Sequence, residues 1–151
     1  MNFKAIILAA GKGTRMKSKN PKVVHKVCGK EMVNHVIDIS NKSGVNDVVV
    51  ILGHGSETVK NVIPEDAIVV MQTEQLGTGH AVKMAKDTIN DDDIIVVLCG
   101  DTPLIEEETL KKLFDYHLEN EYMATVLTTK VDDPTGYGRV IRDSEGNFAR
   151  I

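Results

Sequence analysis

Four short apolar runs punctuate the chain, at residues 4–10, 47–52, 67–71 and 94–99, each rich in Ile and Val. None alternates apolar with polar positions, which is the pattern of strands covered on both faces in a parallel sheet. Helical spacing fills the gaps. Residues 31–43 repeat Met32, Val36 and Ile39, and residues 79–89 repeat Ala81, Val82, Met84, Ala85 and Ile89. Glu106, Glu107 and Glu108 precede Leu110, Leu113 and Phe114, placing acidic residues in the first turn of another helix. Beyond residue 120 come "MATVLTTKV" and "GRVIRDSEGNFARI", the latter a predicted hairpin around Ser144-Glu145-Gly146-Asn147. The alternation predicts an α/β fold, Rossmann-like, with a mostly parallel central sheet and some antiparallel pairing late in the chain.

The residues after each run narrow the picture. The first ends in Ala10-Gly11-Lys12-Gly13, the second in Gly53-His54-Gly55, the third in "QTEQLGTG" and the fourth in "GDTP". Any one of these reads as an ordinary βα turn that needs glycine. All four at one sheet edge mark a shared crevice, because open α/β sheets bind ligands at the carboxyl ends of their strands. In "LAAGKGTRM" the glycines Gly11 and Gly13 interleave with Lys12 and lead to Arg15. Glycine lets main-chain N–H groups approach a ligand and the cations supply positive charge, so an anion is the expected guest. It is not a Walker A loop, which needs G-x-x-x-x-G-K-S/T. Nor is it a dinucleotide fingerprint, since Met16 stands where the third glycine belongs and Gly53 and His54 replace the acidic strand end.

Two further motifs carry chemistry. Asp101 in "CGD" offers a hard oxygen ligand suited to Mg²⁺ already bearing phosphate and water, or equally a turn aspartate before Thr102-Pro103. In "QTEQLGTGHAV" an amide, Gln72 or Gln75, pairs a donor with an acceptor and suits a nucleobase edge, while Thr78 suits a helix N-cap. The five histidines show no zinc spacing and read as structural or surface residues, and Asp91-Asp92-Asp93 reads as a solvated loop. No G-x-S-x-G is present and neither cysteine has an evident partnered base, so covalent nucleophilic catalysis has no residue to carry it.

Composition sets the outer bounds. With 151 residues, 42% hydrophobic and 26% charged, the chain is expected to form one soluble globular domain. A net charge of −4 argues against a nucleic-acid or anionic-membrane partner, and the cations cluster locally between Lys12 and Lys30. No stretch approaches the roughly 20 apolar residues of a membrane span, and the short N-terminal apolar run does not read as a secretory signal. Cys28 and Cys99 form no CxxC pair, which suits a reduced cytoplasm. From the residues alone, the chain binds a nucleotide or other phosphate with Mg²⁺ in a Rossmann-like crevice.

A resemblance extends this reading. "LAAGKGTRM" followed by "PKVVHKVCGKEMVNHVID" resembles the signature of the sugar-nucleotide pyrophosphorylases. "QTEQLGTGHAV", "GDTPLI" and "DDPTGYGRV" narrow the likeness to the bacterial N-acetylglucosamine-1-phosphate uridylyltransferases, and it spans essentially the whole chain. The resemblance implies the nucleotide-diphospho-sugar transferase fold. It also implies a cytoplasmic enzyme that makes UDP-N-acetylglucosamine and pyrophosphate from UTP and N-acetylglucosamine 1-phosphate with Mg²⁺. Carried over, Leu8, Ala9, Ala10, Gly11 and Gly13 would form the uridine pocket and phosphate loop. Arg15 and Lys22 would face the phosphates as catalytic cations. Gln72, Gly77 and Thr78 would recognise uracil, Cys99, Gly100 and Asp101 would line the substrate, Asp101 would hold Mg²⁺, and Gly138 would offer its backbone to the sugar.

Cys99 departs from the family pattern, in which many members carry Tyr before Gly-Asp. The resemblance also implies a uridylyltransferase domain continuing past Ile151, with sugar-binding residues and a second metal ligand. A C-terminal β-helix would follow, acetylating glucosamine 1-phosphate and forming a homotrimer. On that expectation residues 1–151 bind UTP weakly and do not turn over substrate at an appreciable rate. The alternatives are a related nucleotidyltransferase for another base or sugar, such as a thymidylyltransferase, and a non-catalytic nucleotide-binding domain of the same fold.

Overall fold

A computed structural model describes residues 2–11, 13, 16–53 and 55–151. Residues 1–112 and 113–151 form separate compact units. In the first, four parallel strands make a sheet: β1 (Asn2–Leu8), β4 (Asp47–Leu52), β5 (Ile68–Met71) and β6 (Asp93–Cys99), ordered β5-β4-β1-β6. The chain thus lays its second and third strands to one side of β1 and its fourth to the other. This reversal opens a crevice at the carboxyl ends of β1 and β6, the topological switch point. The register aligns those ends directly, Leu8 opposite Cys99 and Ile51.

Between β1 and β4 come the small hairpin β2 (Lys26–Val27) and β3 (Lys30–Glu31), then α1 (Met32–Lys42). After β4 and β5 come α2 (Ser56–Lys60) and α3 (Thr78–Met84). Ile6, Val49 and Ile51 pack with Ala81 and Ala85, the small residues that let α3 sit close on that sheet face. Strand alternation turns Ile7, Val48 and Val50 to the opposite face, where α1 lies against β1 and β4 with Val33, Val36 and Ile37 buried.

Some expectations change. The outer strands are not buried throughout: Ile68 and Met71 on β5, and Ile95 and Val97 on β6, are exposed. On β6 the exposed positions alternate with the buried Val96 and Leu98, so among the described residues one face of that strand is left uncovered. The helix expected over 79–89 ends at Met84 and continues as a 3₁₀ turn over Lys86–Thr88. Asp93 does not belong to a solvated loop; it opens β6 with its side chain 3% exposed, 3.0 Å from the buried Lys4 ammonium.

The second unit holds the later part of α4 (Glu107–Glu119) and the hairpin of β7 (Ile141–Arg142) and β8 (Phe148–Arg150). Asp143 shapes that turn by accepting from the backbone N–H of Glu145 and Asn147, at 3.0 and 2.8 Å. The run 123–131 carries no strand. Gly138 lies in this unit, where a Cβ would meet Ile151 Cγ2 at 3.0 Å.

Candidate functional site

The first strand delivers its loop through main-chain bonds. Ala9 N–H donates to Ile51 carbonyl at 2.9 Å, which spends its donor and leaves the residue 1% exposed. The chain then turns outward through Ala10 and Gly11 to Gly13, whose φ of +58° favours glycine. A Cβ on Gly13 would stand 2.7 Å from Lys22 Cβ. The loop therefore closes directly onto the 3₁₀ turn Lys22–Val24, and that contact positions the Lys22 stem. Pro21 before it packs on Gly55, where a Cβ would fall 2.6 Å from the proline ring.

From the neighbouring strand comes the acid. Gly100 N–H donates to Leu8 carbonyl at 3.0 Å, and a Cβ there would lie 3.1 Å from the same oxygen. This close approach carries Asp101 to the mouth of the crevice. Lys22 Nζ donates to Asp101 Oδ2 at 2.7 Å, with both side chains about one-third exposed (38% and 34%). Cys99, an exposed free thiol, ends β6 two residues before Asp101 and lines the same cleft. Its surroundings push the thiol pKa up, first by desolvation and then by the Asp101 carboxylate, with Lys22 opposing.

The third strand supplies the amide. Gln72 N–H donates to Leu52 carbonyl at 2.7 Å, extending the ladder past Met71. Its side chain turns inward, 3% exposed, with Nε2 donating to Gly77 carbonyl at 3.2 Å and facing His80 Nδ1 at 3.0 Å. Thr78 is not the N-cap: Gly77, at φ +101°, precedes the helix and Thr78 is its first residue. Thr78 lies on the cleft lining instead.

These parts enclose one cleft of ≈ 750 Å³, within the range of small-molecule sites. Of the residues expected there, Leu8, Ala10, Gly11, Gly13, Lys22, Gln72, Gly77, Thr78, Cys99 and Asp101 line it. Ala9 and Gly100 stand behind it as supports. Arg15 lies outside the described residues, and Gly138 belongs to the second unit. Sequence reasoning passed over Met16, Val23 and Ala81 as lining residues, and His80 as the partner of Gln72. The apolar three carry no chemical signal, and the structural or surface reading of the histidines does not single out His80 as the partner of Gln72.

Among the described residues, no three His, Cys, Asp or Glu side chains gather to hold a metal. Asp101 brings one carboxylate into the cleft. That donor set fits a hard cation arriving with phosphate and water ligands, rather than a site built wholly from protein. No helix among the described residues is long and apolar enough to cross a membrane.

Comparison with known proteins bears on the family and the fold. The chain is 74% identical over 151 residues to the bifunctional protein GlmU of Clostridioides difficile (strain 630), covering 100% of this chain and 33% of that protein. The chain thus spans about a third of the length of the curated relatives it matches. Among solved structures, a UTP-bound UGPase from Acinetobacter baumannii superposes with a TM-score of 0.68 at 20% identity, covering 80% of this chain and 54% of the other. The manganese complex of Rv0371C from Mycobacterium tuberculosis H37Rv gives 0.64 at 20% identity, covering 76% and 59%. These two likenesses establish the α/β fold. With residues 5–145 matching the MobA-like NTP transferase domain, the chain belongs to that nucleotidyltransferase family.

Proposed function

We propose that this domain transfers a uridylyl group from UTP to N-acetylglucosamine 1-phosphate, giving UDP-N-acetylglucosamine and pyrophosphate in a cytoplasmic setting. The observation that carries the reading is the Lys22–Asp101 pair, 2.7 Å apart in a cleft that Gly11 and Gly13 also line. The sugar phosphate is itself the nucleophile, so the reaction needs no Ser, Cys or His to attack the α-phosphorus. It needs two anions brought together in line and charge relieved on the departing pyrophosphate. Lys22 and the loop N–H groups meet the phosphates, Arg15 adds its charge, and Gln72 with the Gly77-Thr78 backbone meets uracil. Asp101 would hold Mg²⁺, which supplies charge neutralisation when bound; a lone carboxylate suits a cation carried in on the triphosphate. Gly138 would face the sugar. The 74%-identical relative and the matching NTP transferase domain support nucleotidyl transfer as the reaction class.

The test is pyrophosphate release from UTP and N-acetylglucosamine 1-phosphate. It is run on the chain alone and on a chimera in which the chain replaces the matching third of the Clostridioides difficile relative. The chimera is expected to turn over UTP in preference to dTTP and to require a divalent cation. A chimera that releases pyrophosphate equally well with glucose 1-phosphate and dTTP would refute the assignment of base and sugar.

A further inference from the structure

Gln72 lines the cleft yet is only 3% exposed, so the orientation of its amide is fixed by what surrounds it. Its Nε2 lies 3.2 Å from Gly77 carbonyl and 3.0 Å from His80 Nδ1. A backbone carbonyl only accepts, so the atom facing Gly77 is the NH₂ group. One of its hydrogens goes to that carbonyl and the other to His80. The imidazole must then accept at Nδ1, which places its ring proton on Nε2. Among the described residues, none donates to Gln72 Oε1, and that oxygen is not one of the buried atoms left without a partner. It therefore keeps access to the cleft and is the face the amide offers a ligand.

We propose that His80 is a positioning residue: with the Gly77 carbonyl, it holds the Gln72 amide acceptor-first toward the cleft and so selects the base. This rests on reading the cleft as the base pocket of a nucleotide. An acceptor there matches a base whose ring nitrogen carries a proton. Uracil offers N3–H. Cytosine offers a lone pair at the same ring position, and two acceptors would face each other with no water to separate them. A mismatch of this kind in a buried site corresponds to about tenfold to a hundredfold in affinity. Thymine passes the same test as uracil, so the device sorts ring N–H bases from cytosine and not uracil from thymine.

The experiment is calorimetric titration of the chain with UTP and with CTP, each with Mg²⁺, for the wild type, His80→Phe and His80→Asn. Wild type is expected to prefer UTP by about tenfold or more. His80→Phe removes one of the two acceptors that hold the NH₂ group, leaving only the 3.2 Å contact to Gly77 carbonyl, and should reduce the preference to a few-fold at most. His80→Asn places a side-chain carbonyl near the Nδ1 position and should restore it. A loss confined to helix packing would weaken both nucleotides together and leave their ratio unchanged. If His80→Phe keeps the wild-type ratio, His80 has no such role; a wild type that binds both nucleotides equally overturns the proposal as well. A wild type that binds neither nucleotide overturns the base-pocket reading itself, and the proposal with it. Nitrogen NMR of the wild-type imidazole gives an answer that needs no variant. The Nε2–H tautomer is expected at His80, and a proton found on Nδ1 would refute the proposal.

Discussion

Lys22 Nζ lies 2.7 Å from Asp101 Oδ2, joining the turn that follows the glycine loop to the end of β6. Both side chains are more than one-third exposed, so the pair contributes little to stability, about 0–1 kcal/mol for pairs of this kind. Its value lies in presenting a cation and an anion to the same ligand.

The first prediction separates those two roles. Lys22→Ala and Asp101→Asn should each move the melting temperature of the chain by less than about 5 °C. In the chimera the same substitutions should lower turnover by about a hundredfold to a thousandfold, the scale for losing one preorganised electrostatic group. For Lys22→Ala the fall should appear in kcat more than in KM, because the phosphate charge it meets grows during transfer. Steady-state kinetics with an unchanged kcat would remove Lys22 from the catalytic set.

The second prediction concerns Gly13. Its φ of +58° disfavours any side chain, and a Cβ would press on Lys22 Cβ at 2.7 Å. Gly13→Ala should therefore destabilise the chain by about 1–2 kcal/mol and weaken UTP binding by displacing Lys22. Gly11→Ala is the control for stability, since a Cβ there meets nothing within 4 Å. Equal melting temperatures for the two variants would show that the loop does not close on Lys22 in solution.

What was legible in advance follows from where the information sits. The strand cores are local signals, and Val48, Val49 and Val50 or Ile94, Ile95 and Val96 announce themselves. The loops after them could be assigned to one edge because parallel strands leave no other choice. The pairing of Gln72 with His80 was not legible, because it depends on α3 folding back over the end of β5. Lys4 was missed for a similar reason. A lysine in a strand reads as exposed until Asn2, Asp47 and Asp93 are brought around it from three strands. Side chains that meet only through topology leave no pattern in the sequence.

That buried cluster gives the third prediction. The Asp93 carboxyl is held down to about 2, first by the Asn90 backbone N–H, then by Lys4 and Asn2, with desolvation opposing. Its folded value lies below the unfolded one near 3.8. The stability it contributes is therefore complete above about pH 4 and is lost as pH falls through about 2. Asp93→Asn should lower the melting temperature at pH 7 and flatten the decline in stability between about pH 4 and 2. Urea unfolding at a series of pH values measures both. A variant with the wild-type acid profile would mean that other carboxylates govern acid unfolding.

The fourth prediction uses Cys99 as a reporter of the cleft. The thiol is exposed beside Lys22 and Asp101, and desolvation raises its pKa above the ordinary value. The thiolate is the reactive form, so alkylation by iodoacetamide at pH 8 should be slower than for free cysteine and should accelerate as pH rises further. Cys28 is also an exposed free thiol, but it sits at the β2–β3 turn and does not line the cleft. Saturating UTP with Mg²⁺ should therefore protect Cys99 and leave Cys28 reactive. Peptide mapping after a timed exposure reads the two sites in one sample. Cys99→Ser should abolish the protected signal without altering the melting temperature, since the side chain is exposed. If UTP slows alkylation at neither cysteine, or at both alike, the nucleotide does not occupy the cleft between the ends of β1 and β6.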